Sequence, residues 1–403
     1  MIKAGLIGKG INYSYSKIIH EAITDCSYDI INCDDLKDFF KNDFNYDFIN
    51  VTIPYKKEII KYLDYLDPIS KEIGACNLVI KKNNRLYGYN TDYYGFIKFI
   101  DDNNIIFENK RVCILGTGGA SQMIQKVAID RNVKSLIIVS REEYKYYDNY
   151  ITYDKLGNYG FDIIINATPV GTSPDFNNSL IDFDKINVHK DLIVIDLIYN
   201  PNMTKLCIDS KLRGLKSYNG KELLVNQAIY SYYFLSDDYK DFINNKDLFK
   251  SCFNIIDFNN IVLIGMPYSG KSTLGKKIAK EKNKELIDID EMIEEKYGRI
   301  SDIFKNFGEK YFRTIEKEII KELSLKKNCV IVPGGGAILD YENYIYLKAN
   351  GTIYFLDTDI DTLIERSKLD NNRPLVQSED DLIKLYENRY NIYLKYCDKV
   401  ISG

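Results

Sequence analysis

Short runs of branched apolar residues recur along this chain, separated by stretches whose apolar residues fall at helical spacing. The runs are Lys3–Ile7, Phe48–Thr52, Arg111–Leu115, Ser135–Val139, Ile163–Asn166, Leu192–Asp196, Ile261–Ile264, Val330–Val332 and Thr352–Leu356. Strand-like runs alternating with amphipathic stretches predict α/β layers and mainly parallel sheets. From about Ser236 to Asn260 the pattern changes to a charged, Asn-rich stretch, with Phe242-Ile243 and Leu248-Phe249 at helical spacing. This predicts a closing helix of a first unit and then a short linker at 251–258. No internal repeat is evident.

With 403 residues, two or three domains are expected. A hydrophobic fraction of 45% is enough for proper cores, and no segment reads as long and apolar enough to span a membrane. The opening Met1-Ile-Lys-Ala-Gly-Leu-Ile-Gly8 reads as a strand entering a turn, without the layout of a signal peptide, so a cytoplasmic protein is expected. A net charge of −4 argues against a nucleic-acid surface. The eight cysteines lie apart, with no Cys-x-x-Cys and no clustered histidines, which predicts reduced thiols and no zinc site. His20 and His189, the only histidines, are expected to be structural or exposed.

The most specific chemistry lies in Asn259-Asn-Ile-Val-Leu-Ile-Gly-Met-Pro-Tyr-Ser-Gly-Lys-Ser-Thr-Leu274. A strand-like run ends at Gly265, and Gly270-Lys271-Ser272 follows after four residues, ahead of an amphipathic helix. This is the pattern of a phosphate-binding loop, with Ser269, Gly270 and Thr273 in its contact region. Glycines leave room for backbone N–H groups around phosphate oxygens. Lys271 is placed for the β/γ-phosphates, and Ser272 offers a hydroxyl to Mg²⁺. A second glycine turn, Gly116-Thr-Gly118-Gly119-Ala120, follows the run Arg111–Leu115 and suits a dinucleotide pyrophosphate at a helix N-terminus.

Around that turn stand ordered blocks: Asn50-Val-Thr52-Ile-Pro54-Tyr-Lys56, Gly74-Ala-Cys-Asn77, Asn90-Thr91-Asp92, Asn166-Ala-Thr-Pro169-Val-Gly171, Asp196-Leu-Ile-Tyr199-Asn-Pro201 and Gly220-Lys-Glu-Leu-Leu-Val-Asn-Gln227. Together they resemble shikimate dehydrogenase across nearly all of residues 1–250. The resemblance implies a substrate-binding α/β domain at about 1–100, a Rossmann-like nicotinamide-binding domain at 101–218, and a helix returning to the first at about 219–250. It implies 3-dehydroshikimate as substrate, Lys56 and Asp92 as the catalytic pair, and Ser14 and Ser16 on the substrate carboxylate. Thr52, Asn77, Tyr199 and Gln227 match further substrate contacts. The Lys–Asp pair is chemically apt, because ketone reduction needs a proton for the new alkoxide and a cation to stabilise it. Ser140-Arg141-Glu142 stands where the family carries Asn-Arg-Thr. Arg141 is kept for the 2′-phosphate of NADP(H), whereas Glu142 sets a carboxylate near it; NADP(H) is expected, with NAD as the alternative. The segment from Arg141 to Phe161 also reads as shortened, as though a helix were trimmed.

Downstream of the phosphate loop come Asp288-Ile-Asp290, Phe307-Gly-Glu-Lys-Tyr-Phe-Arg313-Thr-Ile-Glu316, Pro333-Gly334-Gly335-Gly336, Arg366, Arg373-Pro-Leu and Arg389. These resemble shikimate kinase over 259–403, which implies a compact P-loop kinase domain with ATP, Mg²⁺ and a mobile lid around Lys368–Gln377. Lys271 and Arg373 would stabilise the transferring phosphoryl group, and Ser272 with Asp288 would organise Mg²⁺. Asp290 would take the proton of the acceptor hydroxyl. Arg313 and Arg389 would grip the carboxylate of shikimate, Gly334, Gly335 and Gly336 would let backbone approach its ring, and Arg366 would lie on adenine. The two resemblances describe consecutive steps on one small acid, and a bifunctional enzyme of aromatic amino-acid precursor synthesis is the expectation. The alternative is an active kinase fused to a dehydrogenase half that is altered, or prefers quinate or NAD, and acts partly as a binding or regulatory module. A dimer is left open.

Overall fold

The computed structural model describes residues 1–12, 14–40, 44–144, 148–368, 375–376 and 378–403. The chain divides into two compact units, the first made of Met1–Val170, Leu180–Tyr199 and Asp209–Asp257, the second of Gly171–Ser179, Asn200–Ile208 and Phe258–Gly403. Among the described residues no helix is long and apolar enough to cross a membrane.

The first unit begins with β1 (Ile2–Gly8), α1 (Ser16–Ile23), β2 (Cys26–Asn32), α2 (Leu36–Phe40), β3 (Phe48–Val51), β4 (Tyr65–Leu66), α3 (Pro68–Ile73), β5 (Leu78–Lys82), β6 (Arg85–Tyr89) and α4 (Thr91–Asp102). Their strands form a sheet of order β2-β1-β3-β5-β6-β4. β1 pairs parallel with β2 and β3, while β3–β5 and β5–β6 are antiparallel. The antiparallel hairpin departs from the mainly parallel expectation, and its cause is local. Lys82 pairs with Arg85 across Asn83-Asn84, whose φ values of 51° and 58° are the left-handed pair that a two-residue hairpin turn needs. Alternate strand residues feed opposite faces, as the pleat requires. Phe48, Leu78 and Ile80 join one core with Ala4 and Leu6, while Ile49, Val51 and Val79 join the other.

The second sheet is built by β7 (Arg111–Leu115), α5 (Gly119–Asp130), β8 (Ser135–Ser140), β9 (Tyr150–Thr152), β10 (Ile163–Asn166), β11 (Ile193–Asp196), α6 (Lys205–Leu212) and β12 (Lys216–Tyr218). Its order is β12-β11-β10-β7-β8-β9, and every pairing is parallel. Between Arg141 and Phe161 the described residues hold β9 and a 3₁₀ turn at Tyr153–Asn158 but no α-helix, in keeping with the shortened segment. α7 (Lys221–Leu235) then returns to the first sheet, with Val225, Ala228, Ile229 and Tyr232 in the core of Ala4 and Phe48. α8 (Lys246–Ile255) adds the buried Cys252 to that core. Residues 251–255, which the composition reads as linker, are therefore helix, packed through an apolar face.

The second unit carries β13 (Asn260–Ile264), α9 (Lys271–Lys282), β14 (Glu285–Asp288), α10 (Ile289–Tyr297), α11 (Ile300–Leu323), β15 (Cys329–Val332), α12 (Tyr341–Ala349), β16 (Gly351–Asp357), α13 (Ile360–Ser367), α14 (Glu379–Tyr396) and β17 (Lys399–Ser402). The sheet order is β14-β15-β13-β16-β17, all parallel. Side chains of Asp288, Asp340, Asp359 and Ser378 accept N–H bonds in the first turns of α10, α12, α13 and α14, which satisfies donors that a helix start leaves open.

His20 confirms the structural expectation for a histidine on α1. It is fully buried, stacked on Tyr28 with centroids 4.3 Å apart, with Nδ1 3.2 Å from the Tyr232 hydroxyl. Burial pushes its pKa down to about 3 from the usual 6.5. A folded-state pKa below the unfolded value means the unfolded chain binds the extra proton. The stabilisation from a neutral His20 is thus whole above pH 6.5 and is lost as pH falls toward 3. Between those limits the slope is about 1.4 kcal/mol per pH unit. His20→Phe keeps a ring in the stack and removes the titration. On moving from pH 6.5 to pH 5, calorimetric unfolding of the first unit should lose roughly 2 kcal/mol less in this variant than in wild type; equal losses would refute the assignment.

Candidate active sites

In the second sheet β7 lies between β10 and β8, so the chain order reverses there, and open α/β sheets leave a crevice at the carboxyl ends of strands at such a point. A cavity of about 750 Å³ occupies this place in the first unit. Gly116, Gly118, Gly119 and Ala120 line it after β7, Ser140, Arg141 and Glu142 after β8, and Thr168, Pro169 and Val170 after β10, while Thr52, Pro54 and Lys56 come from the first sheet. The turn fits a dinucleotide. A carbon added at Gly118 or Gly119 would meet nothing within 4 Å, and Gly118 starts α5 with no side-chain cap. The first-turn N–H groups of α5 are thereby available to phosphate oxygens.

Lys56 Nζ lies 2.6 Å from Asp92 Oδ2, the pair that the sequence puts at the centre of the chemistry. Each partner is fixed through its backbone. The Lys56 carbonyl accepts from Cys76 N–H at 2.8 Å, and Asp92 lies in the first turn of α4, where the helix dipole favours a carboxylate. Asn77 holds that helix start: its Oδ1 accepts from Thr91 N–H at 2.6 Å and its Nδ2 donates to Thr91 Oγ1 at 3.0 Å. Thr91 Oγ1 in turn reaches Gln227 Oε1 at 3.4 Å. Ser14 and Ser16 share a hydroxyl bond of 3.0 Å at the start of α1, and Tyr199 packs on Tyr15 with ring centroids 5.4 Å apart. Of the residues read from sequence, Thr52, Lys56, the glycine turn and Arg141 share the cavity wall; Ser14, Ser16, Asn77, Tyr199 and Gln227 lie outside it, and Asp92 joins through Lys56. The sequence reading passed over Tyr144 and Tyr153, which line the cavity with Arg141. With 34 tyrosines in the chain and no motif around these two, nothing marked them.

In the second unit the loop between β13 and α9 delivers Lys271, whose Nζ donates to the Gly265 and Met266 carbonyls at 3.1 and 2.9 Å. Ser272 Oγ donates to Asp288 Oδ2 at 2.6 Å, a hydroxyl and a carboxylate that suit Mg²⁺ with phosphate and water completing its shell. Arg366 Nη1 donates to the carbonyls of Tyr268 and Ser269 at 3.3 and 3.2 Å. Ser269 is buried and Thr273 is exposed. The three glycines after β15 form a floor under charged side chains. A carbon at Gly334 would come within 3.0 Å of both Glu316 Oε1 and Asp290 Oδ1, and one at Gly336 would overlap the Arg313 guanidinium. One at Gly335 would lie 3.5 Å from Arg389 Nη1. Asp290, Arg313 and Arg389 thus converge on one glycine strip. Arg373 and most of the expected lid lie outside the described residues.

Glu316, quoted in the motif without a role, proves central. It is fully buried; its Oε2 accepts from Arg313 Nη1 at 2.7 Å, and its Oε1 has no partner among the described residues. Burial pushes its carboxyl up to about 7, against the opposing pull of Arg313. Glu309 meets the other side of the same guanidinium, accepting from Nε at 3.2 Å and Nη2 at 3.1 Å. Spacing of three and four residues from Arg313 was the available signal.

Residues 6–79 match the family model for the shikimate dehydrogenase substrate binding domain, and residues 267–403 match that for shikimate kinase. The NADP(+)-type shikimate dehydrogenase of Methanococcus vannielii is 37% identical over 254 residues, 57% of this chain and 89% of that protein. That of Clostridium perfringens is 33% identical over 246 residues, 56% of this chain and 89% of its own length. Among solved structures, shikimate dehydrogenase 1 of Peptoclostridium difficile superposes with a TM-score of 0.54 at 33% identity, over 64% of this chain and 98% of that one. Shikimate 5-dehydrogenase of Listeria monocytogenes, solved with shikimate and NAD, gives 0.53 at 26% identity, over 60% of this chain and 96% of that one. The chain belongs to the shikimate dehydrogenase family and continues into a shikimate kinase domain, which makes it a bifunctional enzyme with an NADP-dependent oxidoreductase half and an ATP-dependent phosphotransferase half.

Proposed function

We propose that the first unit reduces 3-dehydroshikimate to shikimate with NADPH and that the second phosphorylates shikimate at its 3-hydroxyl with ATP and Mg²⁺. The observation that carries this reading is the Lys56–Asp92 pair, 2.6 Å apart, with Lys56 on the wall of the cavity that holds the Gly116–Ala120 turn. NADPH supplies a hydride, ATP a phosphoryl group, and Mg²⁺ offsets phosphate charge. The protein's own part in reduction is to stabilise the growing alkoxide with the Lys56 ammonium and to give it a proton, while Asp92, 2.6 Å away, keeps that ammonium aimed. Ser14 and Ser16 hold the substrate carboxylate by hydroxyl donation. In the second unit Asp290 accepts the proton of the attacking hydroxyl, Arg313 and Arg389 hold the carboxylate, and Lys271 steadies the phosphate charge. Both units work on one small acid as separate sites on one chain.

Use of NAD is a second reading for the first unit, supported by Glu142 on the cavity wall beside Arg141. A carboxylate after the second strand of such a sheet suits a ribose diol, whereas an arginine suits a 2′-phosphate.

A direct test gives purified protein 3-dehydroshikimate, ATP and Mg²⁺ with NADPH or NADH, following absorbance and phosphorylated product; no product from either step would reject the proposal. Lys56→Ala should lower the reductase kcat at least about 10²-fold, the low end of a general acid's contribution, and near-normal turnover would sink the role of Lys56. Lys271→Met should abolish ADP formation and leave ketone reduction unchanged; loss of both activities would contradict independent sites. Arg141→Ala should raise KM for NADPH much more than for NADH, and equal effects would show that Arg141 does not read the 2′-phosphate.

A further inference from the structure

Arg313 has acidic partners of its own chain on two sides of its guanidinium. A guanidinium has five N–H groups in a rigid fork. Three are taken here: Nε–H and one Nη2–H by Glu309 Oε1, at 3.2 and 3.1 Å, and one Nη1–H by Glu316 Oε2, at 2.7 Å. The Nε/Nη2 edge, one of the two that can grip a carboxylate with parallel bonds, is therefore closed by Glu309.

The two carboxylates are not equivalent. Glu316 is fully buried, whereas the Glu309 side chain is 50% exposed. Glu316 is fixed beneath the guanidinium and has nowhere to go. Glu309 can turn into water at little cost, because an exposed ion pair is weak. It reaches Arg313 because α11 is broken just ahead of it. Gly308 has φ 81° and ψ 170°, a left-handed conformation that favours glycine, and the helix restarts with Glu309 one turn before Arg313. The guanidinium itself lies against Gly336 and over the Phe312 ring, 5.2 Å from its centroid.

We infer that Glu309 is a stand-in for the substrate carboxylate: it occupies the Nε/Nη2 edge of Arg313 and gives that edge up when the acid binds. The inference rests on the proposed role of Arg313 as an anchor for the acid. The benefit is positional. An arginine that is 28% exposed and lacks a partner on its open edge would swing toward solvent, and Glu309 keeps it on the glycine floor. The consequence is that the acid must displace a rival. Removing the charge of Glu309 should strengthen acid binding, the opposite of what loss of a brace would do.

The test is Glu309→Gln in the full chain, with Glu309→Ala as a second variant that also removes the amide. ADP formation is followed without nicotinamide cofactor, so that the first unit is silent. KM for shikimate should fall roughly three- to tenfold in both variants, while KM for ATP holds. The gain should shrink at high salt. Shikimate methyl ester, a neutral competitor, should show an unchanged inhibition constant, since it does not contend for the guanidinium edge. An unchanged or raised KM for shikimate overturns the inference, and so does an equal gain for the ester. Wild-type protein that forms no ADP with shikimate would overturn the kinase reading itself, a result distinct from an active wild type whose Glu309 variants gain nothing.

Discussion

A cation half removed from water needs a partner from its own chain, and this constraint organises both sites. Lys56, 23% exposed, rests on Asp92. Lys271 rests on the carbonyls of Gly265 and Met266, and Arg313 rests on Glu309 and Glu316. An unpaired charge in such a place would cost several kcal/mol or leave the site. The fold's contribution is to fix where each partner meets its cation, from another element for Lys56 and from within one helix for Arg313. The first turn of α4 carries Asp92, the loop after β13 presents the two carbonyls, and the restart of α11 after Gly308 carries Glu309. Site geometry is thus set by helix starts at Asp92 and Glu309 and by the phosphate loop at Lys271.

Interior parallel strands were legible in the sequence and edge strands were not, for a physical reason. All nine apolar runs are strands, with ends within one residue of those expected, and each lies inside its sheet. The strands that passed unnoticed include β2 and β4, β12 and β9, and β14 and β17, the two edges of each sheet. An edge strand has one side open and admits polar residues, as Ser27, Asp29 and Asn32 do in β2 and Lys216 and Ser217 do in β12; its apolar run is interrupted and the pattern fails. The hairpin of β5 and β6 hid differently, in an Asn83-Asn84 turn that carries the left-handed requirement without the more usual glycine.

The sites were legible where the main chain does the work. Glycine turns and the phosphate loop announce themselves because backbone must approach a ligand closely. Side-chain partners were harder. Glu316 sits on an amphipathic helix, where a glutamate reads as solvated, yet it is fully buried against the glycine strip. Burial is a tertiary fact that charge at a helical position does not reveal. Tyr144 and Tyr153 fail for the reverse reason: aromatic residues are common throughout this chain, so two more carried no signal until the cavity gathered them beside Arg141.

The two proposed grips on the same acid use different chemistry, and the surrounding charge accounts for it. In the first unit Lys56 and Asp92 cancel one another, and reduction of a ketone leaves the substrate's single negative charge unaltered. Neutral serine hydroxyls are then sufficient to orient the carboxylate, and they release the alcohol as readily as they accept the ketone. In the second unit the acid must lie beside the phosphates of ATP, and like charges at that separation repel strongly where water is thin. Hydroxyls would hold it weakly there, whereas the planar fork of an arginine matches a carboxylate. Two arginines alone would then retain a product that leaves with a phosphate added. Glu309, if it exchanges with the carboxylate on Arg313, limits that retention by offering the guanidinium another partner as the product departs. The strength of the grip is thereby matched to a ligand whose charge grows during the reaction.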